Sequence, residues 1–212
     1  MGMNKQTFEK NASRKHRKES IEWLRIWCEE THGDLPRVAL IGDSITEQVF
    51  EGVKKELEGI ALVDYLATSY AITSPAYIGM VEKFVEDSDY AVVYYNYGLH
   101  ASNVTLEEYE EVYRAMLVKF LKQSKVLLGS TTVVHDKDHM GQELPGFVEL
   151  VRGRNARAKM IAEEFGVEMD NSFEISVELG VNGKADDCIH FNEMGKETLA
   201  KHKAEYIKAL LK

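Results

Sequence analysis

Two short blocks placed far apart in the chain could do nucleophilic chemistry together. Ser44 lies in Ile41-Gly42-Asp43-Ser44-Ile45-Thr46, directly after the apolar run Val38-Ala39-Leu40. Gly and Asp are poor strand residues, so this block marks a turn from a strand into a helix. A serine there is either a helix cap or an exposed nucleophile. A serine hydroxyl is inert at its own pKa and needs a base, usually histidine. Of the seven histidines, His190 stands out, in Asp186-Asp187-Cys188-Ile189-His190-Phe191-Asn192. Asp187, three residues upstream, is close enough in a turn to accept a hydrogen bond from Nδ1–H. That bond would fix the tautomer and stabilise an imidazolium.

The other histidines read differently. His16, His32 and His202 sit in charged or loop contexts and are expected at the surface. His135 and His139, in the run His135-Asp136-Lys137-Asp138-His139, lack a third ligand at metal spacing, so this run is read as a solvated loop and no metal is expected. Cys28 and Cys188 are the only cysteines, which argues against a disulfide framework. Cys188 is expected to face the core.

Those residues need a scaffold, and the apolar periodicity supplies one. Strands are expected at 37–41, 60–65, 90–96, 125–134 and 167–170, and helices over 47–57, after Pro75, after Thr105, over 147–165 and from about Asn192. Thr105 and Glu108 fit a capping box, followed by Tyr109, Val112, Tyr113, Met116, Leu117 and Phe120 at helical spacing. Alternating strands and helices imply a parallel sheet covered on both faces, with ligands beyond the carboxyl ends of the strands. Ser44 follows the first of these strands and Asn96 to His100 the third, so the topology directs both toward one crevice. Residues 1–34 are read as an N-terminal helical arm and 35–212 as a single α/β domain. In the arm, Ile21, Leu24 and Cys28 recur at helical spacing. Trp23 and Trp27 could mediate a homo-oligomer from it, or pack on their own domain.

Composition narrows the functions. The 212 residues carry a formal net charge of −9, which disfavours a general nucleic-acid binder. The basic run from Lys10 to Lys18 reads as a solvated helix face. No segment approaches the ~20 consecutive apolar residues needed to span a bilayer, so no membrane partner is expected. The polar start lacks a signal-peptide core, which reads as cytoplasmic, or as a chain whose export signal has been removed.

The two blocks together resemble the SGNH, or GDSL-like, hydrolase family. That family opens with Gly-Asp-Ser after its first strand, here Gly42-Asp43-Ser44, and closes with Asp-x-x-His before its last helix, here Asp187-Cys188-Ile189-His190. The resemblance covers residues 37 to 211. It implies a flavodoxin-like three-layer α/β/α sandwich with about five parallel strands and no metal or organic cofactor. It implies Ser44 as nucleophile, His190 as general base and acid, and Asp187 as its orienter, acting on a small ester through an acyl-enzyme. An acetyl ester on a carbohydrate is the substrate class suggested by analogy.

Two departures from the family pattern concern the oxyanion. The family has a glycine in its second block and Gly-x-Asn-Asp in its third. Here the segment after the second strand, Ala67 to Tyr77, has no glycine, and the backbone N–H of Ser69 is the candidate donor beside that of Ser44. The third block reads Tyr95-Asn96-Tyr97-Gly98-Leu99-His100-Ala101-Ser102. Aligning Gly98 with the family's glycine puts His100 where the asparagine belongs. A histidine N–H can serve there with a changed pH dependence. Asp43, Gly98 and Asn96 are supporting residues, and Asn96 and Asn103 are alternative donors. The departures also motivate a second reading, a non-catalytic carbohydrate- or ligand-binding protein on the same fold.

Overall fold

The computed structural model describes residue 16 and residues 18–30, 33–139 and 141–212. Six strands form one sheet: β1 Leu24–Trp27, β2 Arg37–Gly42, β3 Leu62–Thr68, β4 Tyr90–Tyr95, β5 Lys125–Leu128 and β6 Glu168–Met169. Their spatial order is β1-β3-β2-β4-β5-β6. From β3 to β6 every pairing is parallel, and β1 is antiparallel on the outer edge of β3. Without β1, the five parallel strands have the flavodoxin order.

Side chains alternate across the strands and build two cores. Ala39, Ile41, Val93 and Tyr95 face one way, against α2 (Pro75–Glu86), α3 (Leu106–Phe120) and α4 (Pro145–Phe165). Val38, Leu40, Val92 and Tyr94 face the other, against α1 (Ser44–Glu56) and α6 (Glu193–Leu211). On α1 the buried Ile45, Val49, Phe50 and Val53 form one stripe, because residues three and four apart share a helix face. Both faces of the sheet are therefore covered, giving the three-layer α/β/α sandwich expected from the sequence. Thr105 and Glu108 make the capping box that starts α3. Among the described residues no helix is long and apolar enough to cross a membrane.

Two expectations need correction. The described part of the arm is not helical: residues 24–27 are a strand whose backbone pairs from Leu24 opposite Thr68 to Trp27 opposite Tyr65. The open edge of β3 offers unpaired N–H and C=O groups, and this segment takes them. Residues 5–15 of the arm, and most of the basic run, lie outside the described residues. Trp27 packs on Phe50 at 4.9 Å between ring centroids, and Trp23 meets His100 edge-on at 6.1 Å, so both tryptophans contact their own domain.

The strand expected over 125–134 ends at Leu128. Beyond it, side chains take over the backbone donors: Asp170 Oδ1 accepts from Ser130 N–H, Asn155 Oδ1 from Thr131 N–H and Ser176 Oγ from Val133 N–H. The neighbouring β6, only two residues long, cannot pair further. The helix α5 (Ser172–Leu179) and the 3₁₀ turn Gly180–Gly183 that follows it were not expected from the sequence.

Candidate functional site

The turn from β2 into α1 presents Ser44. Gly42 ends β2 where a Cβ would meet Thr46 Oγ1 at 2.0 Å, so the strand and helix approach too closely for any side chain there. Asp43 is the N-cap: its buried carboxylate accepts from Ile45 N–H at 3.0 Å. Ser44 is therefore not the cap. It is the first helical residue, half-buried, in the turn whose N–H groups have no acceptor within the helix. Its Oγ lies 2.9 Å from His190 Nε2.

His190 is held by a tight turn between an antiparallel bridge at Lys184 and Phe191. Ala185 N–H donates to the His190 carbonyl and Cys188 N–H to that of Ala185. Cys188 is buried, as expected, and its φ of 60° puts the chain in the left-handed region. Lys184 Nζ donates to the Ile189 carbonyl at 2.8 Å and lies 3.6 Å from the Phe191 ring centroid. Asn192 caps α6 by accepting from Gly195 N–H, and Gln48 of α1 accepts from Phe191 N–H. This last bond ties the histidine turn to the helix that begins with Ser44.

Asp187 completes the array. One carboxylate oxygen lies 2.5 Å from His190 Nδ1, and the other accepts from the backbone N–H groups of Ile189 and His190 at 2.9 and 2.8 Å. Burial alone would raise the Asp187 pKa. The hydrogen bonds from the His190 ring and the two N–H groups outweigh it and hold the carboxyl below its ordinary value. A hydroxyl on imidazole Nε2, with a carboxylate on Nδ1, can pass its proton to the ring as it attacks an electrophile.

The segment after β4 forms the facing wall. Asn96 Nδ2 donates to the Gly129 carbonyl at 2.7 Å, so it ties the ends of β4 and β5 together. Gly98 lies so close to Thr131 that a Cβ would come within 1.6 Å of its hydroxyl. The fully buried Arg154 of α4 donates to the carbonyls of Gly98, His100 and Ala101. His100 Nδ1 lies 3.0 and 3.1 Å from the two carboxylate oxygens of Glu19. A cavity of about 10 Å³, with room for about one water, lies between Asp43, Asn96, Thr131 and Lys203.

Ser44, Asp187 and His190, singled out from the sequence, converge in one array. Ser69, the expected second oxyanion donor, is otherwise engaged: its N–H donates to the Trp23 carbonyl while its Oγ accepts from Trp23 N–H, because the segment entering β1 continues its ladder there. Glu19 and Arg154, both of which grip the His100 loop, were not expected from the sequence. A lone Glu in a basic, polar stretch and an Arg in a helix carry no signal of such a role. His135 is buried rather than solvated, its backbone N–H bonded to the Cys188 carbonyl, whereas His139 is exposed and paired with Asp136. Among the described residues no three metal-ligating side chains converge.

The sequence matches no protein-family model and no curated protein. The fold has clear counterparts among solved structures. A Trp→Ile variant of Axe2, an acetyl xylan esterase from Geobacillus stearothermophilus, superposes with a TM-score of 0.66 at 15% identity, covering 81% of this chain and 94% of that one. LAE5, an α/β hydrolase enzyme from the Lake Arreo metagenome, gives 0.64 at 13% identity, covering 84% and 96%. A GDSL-like lipase candidate from Parabacteroides merdae gives 0.59 at 13% identity, with the same coverages. These TM-scores, with near-complete coverage of the matched structures, give this chain the fold of the GDSL-like, or SGNH, hydrolases.

Proposed function

We propose that the protein is a serine ester hydrolase in which Ser44 attacks a small ester, His190 takes and returns the proton, and Asp187 orients His190. The observation that carries this reading is the Ser44–His190–Asp187 chain, at 2.9 and 2.5 Å, at the carboxyl end of the sheet. The first parallel strand, β2, has β3 on one side and β4 on the other, so its carboxyl end is the switch point at which such sheets bind ligands. Attack expels the alcohol and leaves an acyl group on Ser44, which water then removes by the reverse proton path. The backbone N–H of Ser44 and the side chain of His100 are the candidate donors to the oxyanion.

An acetyl group carried by a carbohydrate is the proposed substrate class. It rests on likeness to Axe2, described as an acetyl xylan and acetyl-xylooligosaccharide esterase, two of whose structures carry substitutions called catalytic, one of a serine and one of an aspartate. One observation favours a non-catalytic ligand-binding protein instead: the Ser69 N–H is occupied by Trp23. A panel of short-chain aryl esters and acetylated xylo-oligosaccharides tests both. The hydrolase reading expects Ser44-dependent acetate release. Saturable oligosaccharide binding without acetate release supports the binding protein.

A further inference from the structure

We propose that Glu19, in the segment leading into β1, is a positioning residue that keeps His100 doubly protonated, so that Nε2–H serves as the side-chain donor to the oxyanion beside Ser44. The inference rests on the reading of Ser44 as nucleophile.

The same segment removes one donor and secures another. Its backbone at Trp23 occupies the N–H of Ser69, the residue just past β3. Four residues earlier, Glu19 crosses to the loop after β4, where its carboxylate meets His100 Nδ1 and accepts from Ala101 N–H at 3.0 Å. Arg154 grips the same loop through three carbonyls. Held from both sides, Ala101 keeps a φ of 53°, which a residue with a Cβ rarely adopts.

Tautomer logic gives this clamp a chemical consequence. A neutral imidazole that donates Nδ1–H to Glu19 has a lone pair on Nε2, which repels an oxyanion. Only the imidazolium satisfies Glu19 and still offers Nε2–H. The groups around the ring bear on that proton. Burial works against the charged form, and so does the Arg154 guanidinium; the Glu19 hydrogen bond and the Asp43 and Glu19 charges prevail and raise the His100 pKa. Trp23 covers a ring edge, and Lys18, a cation among the described residues of the segment, is paired with Glu22 at 3.0 Å. His190 must be neutral to accept a proton while His100 must be charged to donate. The crevice thus asks opposite states of its two histidines, as acid and base pairs in active sites commonly do.

The test compares pH profiles of kcat and KM on p-nitrophenyl acetate for the wild type, Glu19→Gln, His100→Asn and the double variant. Ring NMR titrations of His100 in the wild type and Glu19→Gln accompany them. Glu19→Gln is expected to shift the alkaline limb, and the His100 titration, to lower pH, and to lower kcat with KM little changed. His100→Asn donates at every pH, so its profile lacks that limb and Glu19→Gln adds nothing to it. His100→Ala lowers kcat on the order of 100- to 1000-fold, the cost of one oxyanion donor. An alkaline limb unmoved in Glu19→Gln, or an equal effect of Glu19→Gln in the His100→Asn background, overturns the proposal. The Ser44 reading fails separately, if wild type gives no fluorophosphonate adduct. An unchanged His100 titration in Glu19→Gln then still overturns the proposed role of Glu19.

Discussion

Ser44 owes its accessibility to its neighbour. Because Asp43 caps α1, the serine hydroxyl is left for His190 rather than for the helix. Ser44→Ala should therefore remove turnover without loss of the cap: kcat falls by about 10⁴- to 10⁶-fold while the melting temperature stays near that of wild type. Asp187→Asn should lower kcat by about 10⁴-fold, since an amide selects the wrong imidazole tautomer. The Ser-His-Asp set was legible because each residue sits in a local block, a Gly-Asp-Ser turn and an Asp-x-x-His turn. Glu19 was not, because its partner lies 81 residues away and nothing local marks the pairing.

The turn from Lys184 to Phe191 and the segment from Asn96 to Ala101 must keep their shapes for the crevice to exist. In the first, burial drives the Lys184 pKa down to about 7, with Asp187 and Cys188 opposing. The folded value is thus below the unfolded value of 10.5, so between about 7 and 10.5 the unfolded chain binds more protons. Stability should rise with pH across that window, and Lys184→Met should flatten the rise in denaturant titrations. In the second, Gly98→Ala forces a Cβ onto Thr131; overpacking of this kind costs about 1–3 kcal/mol and should lower both stability and kcat. Long periodic helices such as α3 were readable from sequence, since capping box and apolar stripe agree. Strand β1 was not: its residues fit a helical spacing, and only the open edge of β3 makes them a strand.

The sandwich is cross-linked beneath the site by one buried network. Lys203 of α6 donates to Asp170 at 3.1 Å, to Ser172 at 2.7 Å and to Tyr94 of β4, and Asp170 also accepts from Ser130 N–H beyond β5. Removing one partner strands a buried charge, so Lys203→Met or Asp170→Asn should cost about 3–5 kcal/mol of unfolding free energy in denaturant titrations. Burial opposes ionisation of Asp170, but Lys203 and the hydrogen bonds of Ser130 and Ser172 hold its pKa below the ordinary 3.8. Its stabilisation is fully present above the unfolded value and is lost as pH falls through the lower folded one. Acid unfolding should shift toward neutral pH in Asp170→Asn. The alternation of strands and helices made the layers legible from sequence. The network was not, because it joins α5, α6, β4 and the ends of β5 and β6, which meet only in the folded chain.

The most direct experiment is intact mass after treatment with a fluorophosphonate, wild type against Ser44→Ala, with both proteins shown to be folded. A single adduct on wild type that is absent from Ser44→Ala is the expected result, since an imidazole within hydrogen-bond reach of a hydroxyl can activate it as a nucleophile. A folded wild-type protein without the adduct, or an adduct that persists in Ser44→Ala, would contradict the assignment of Ser44 as the nucleophile.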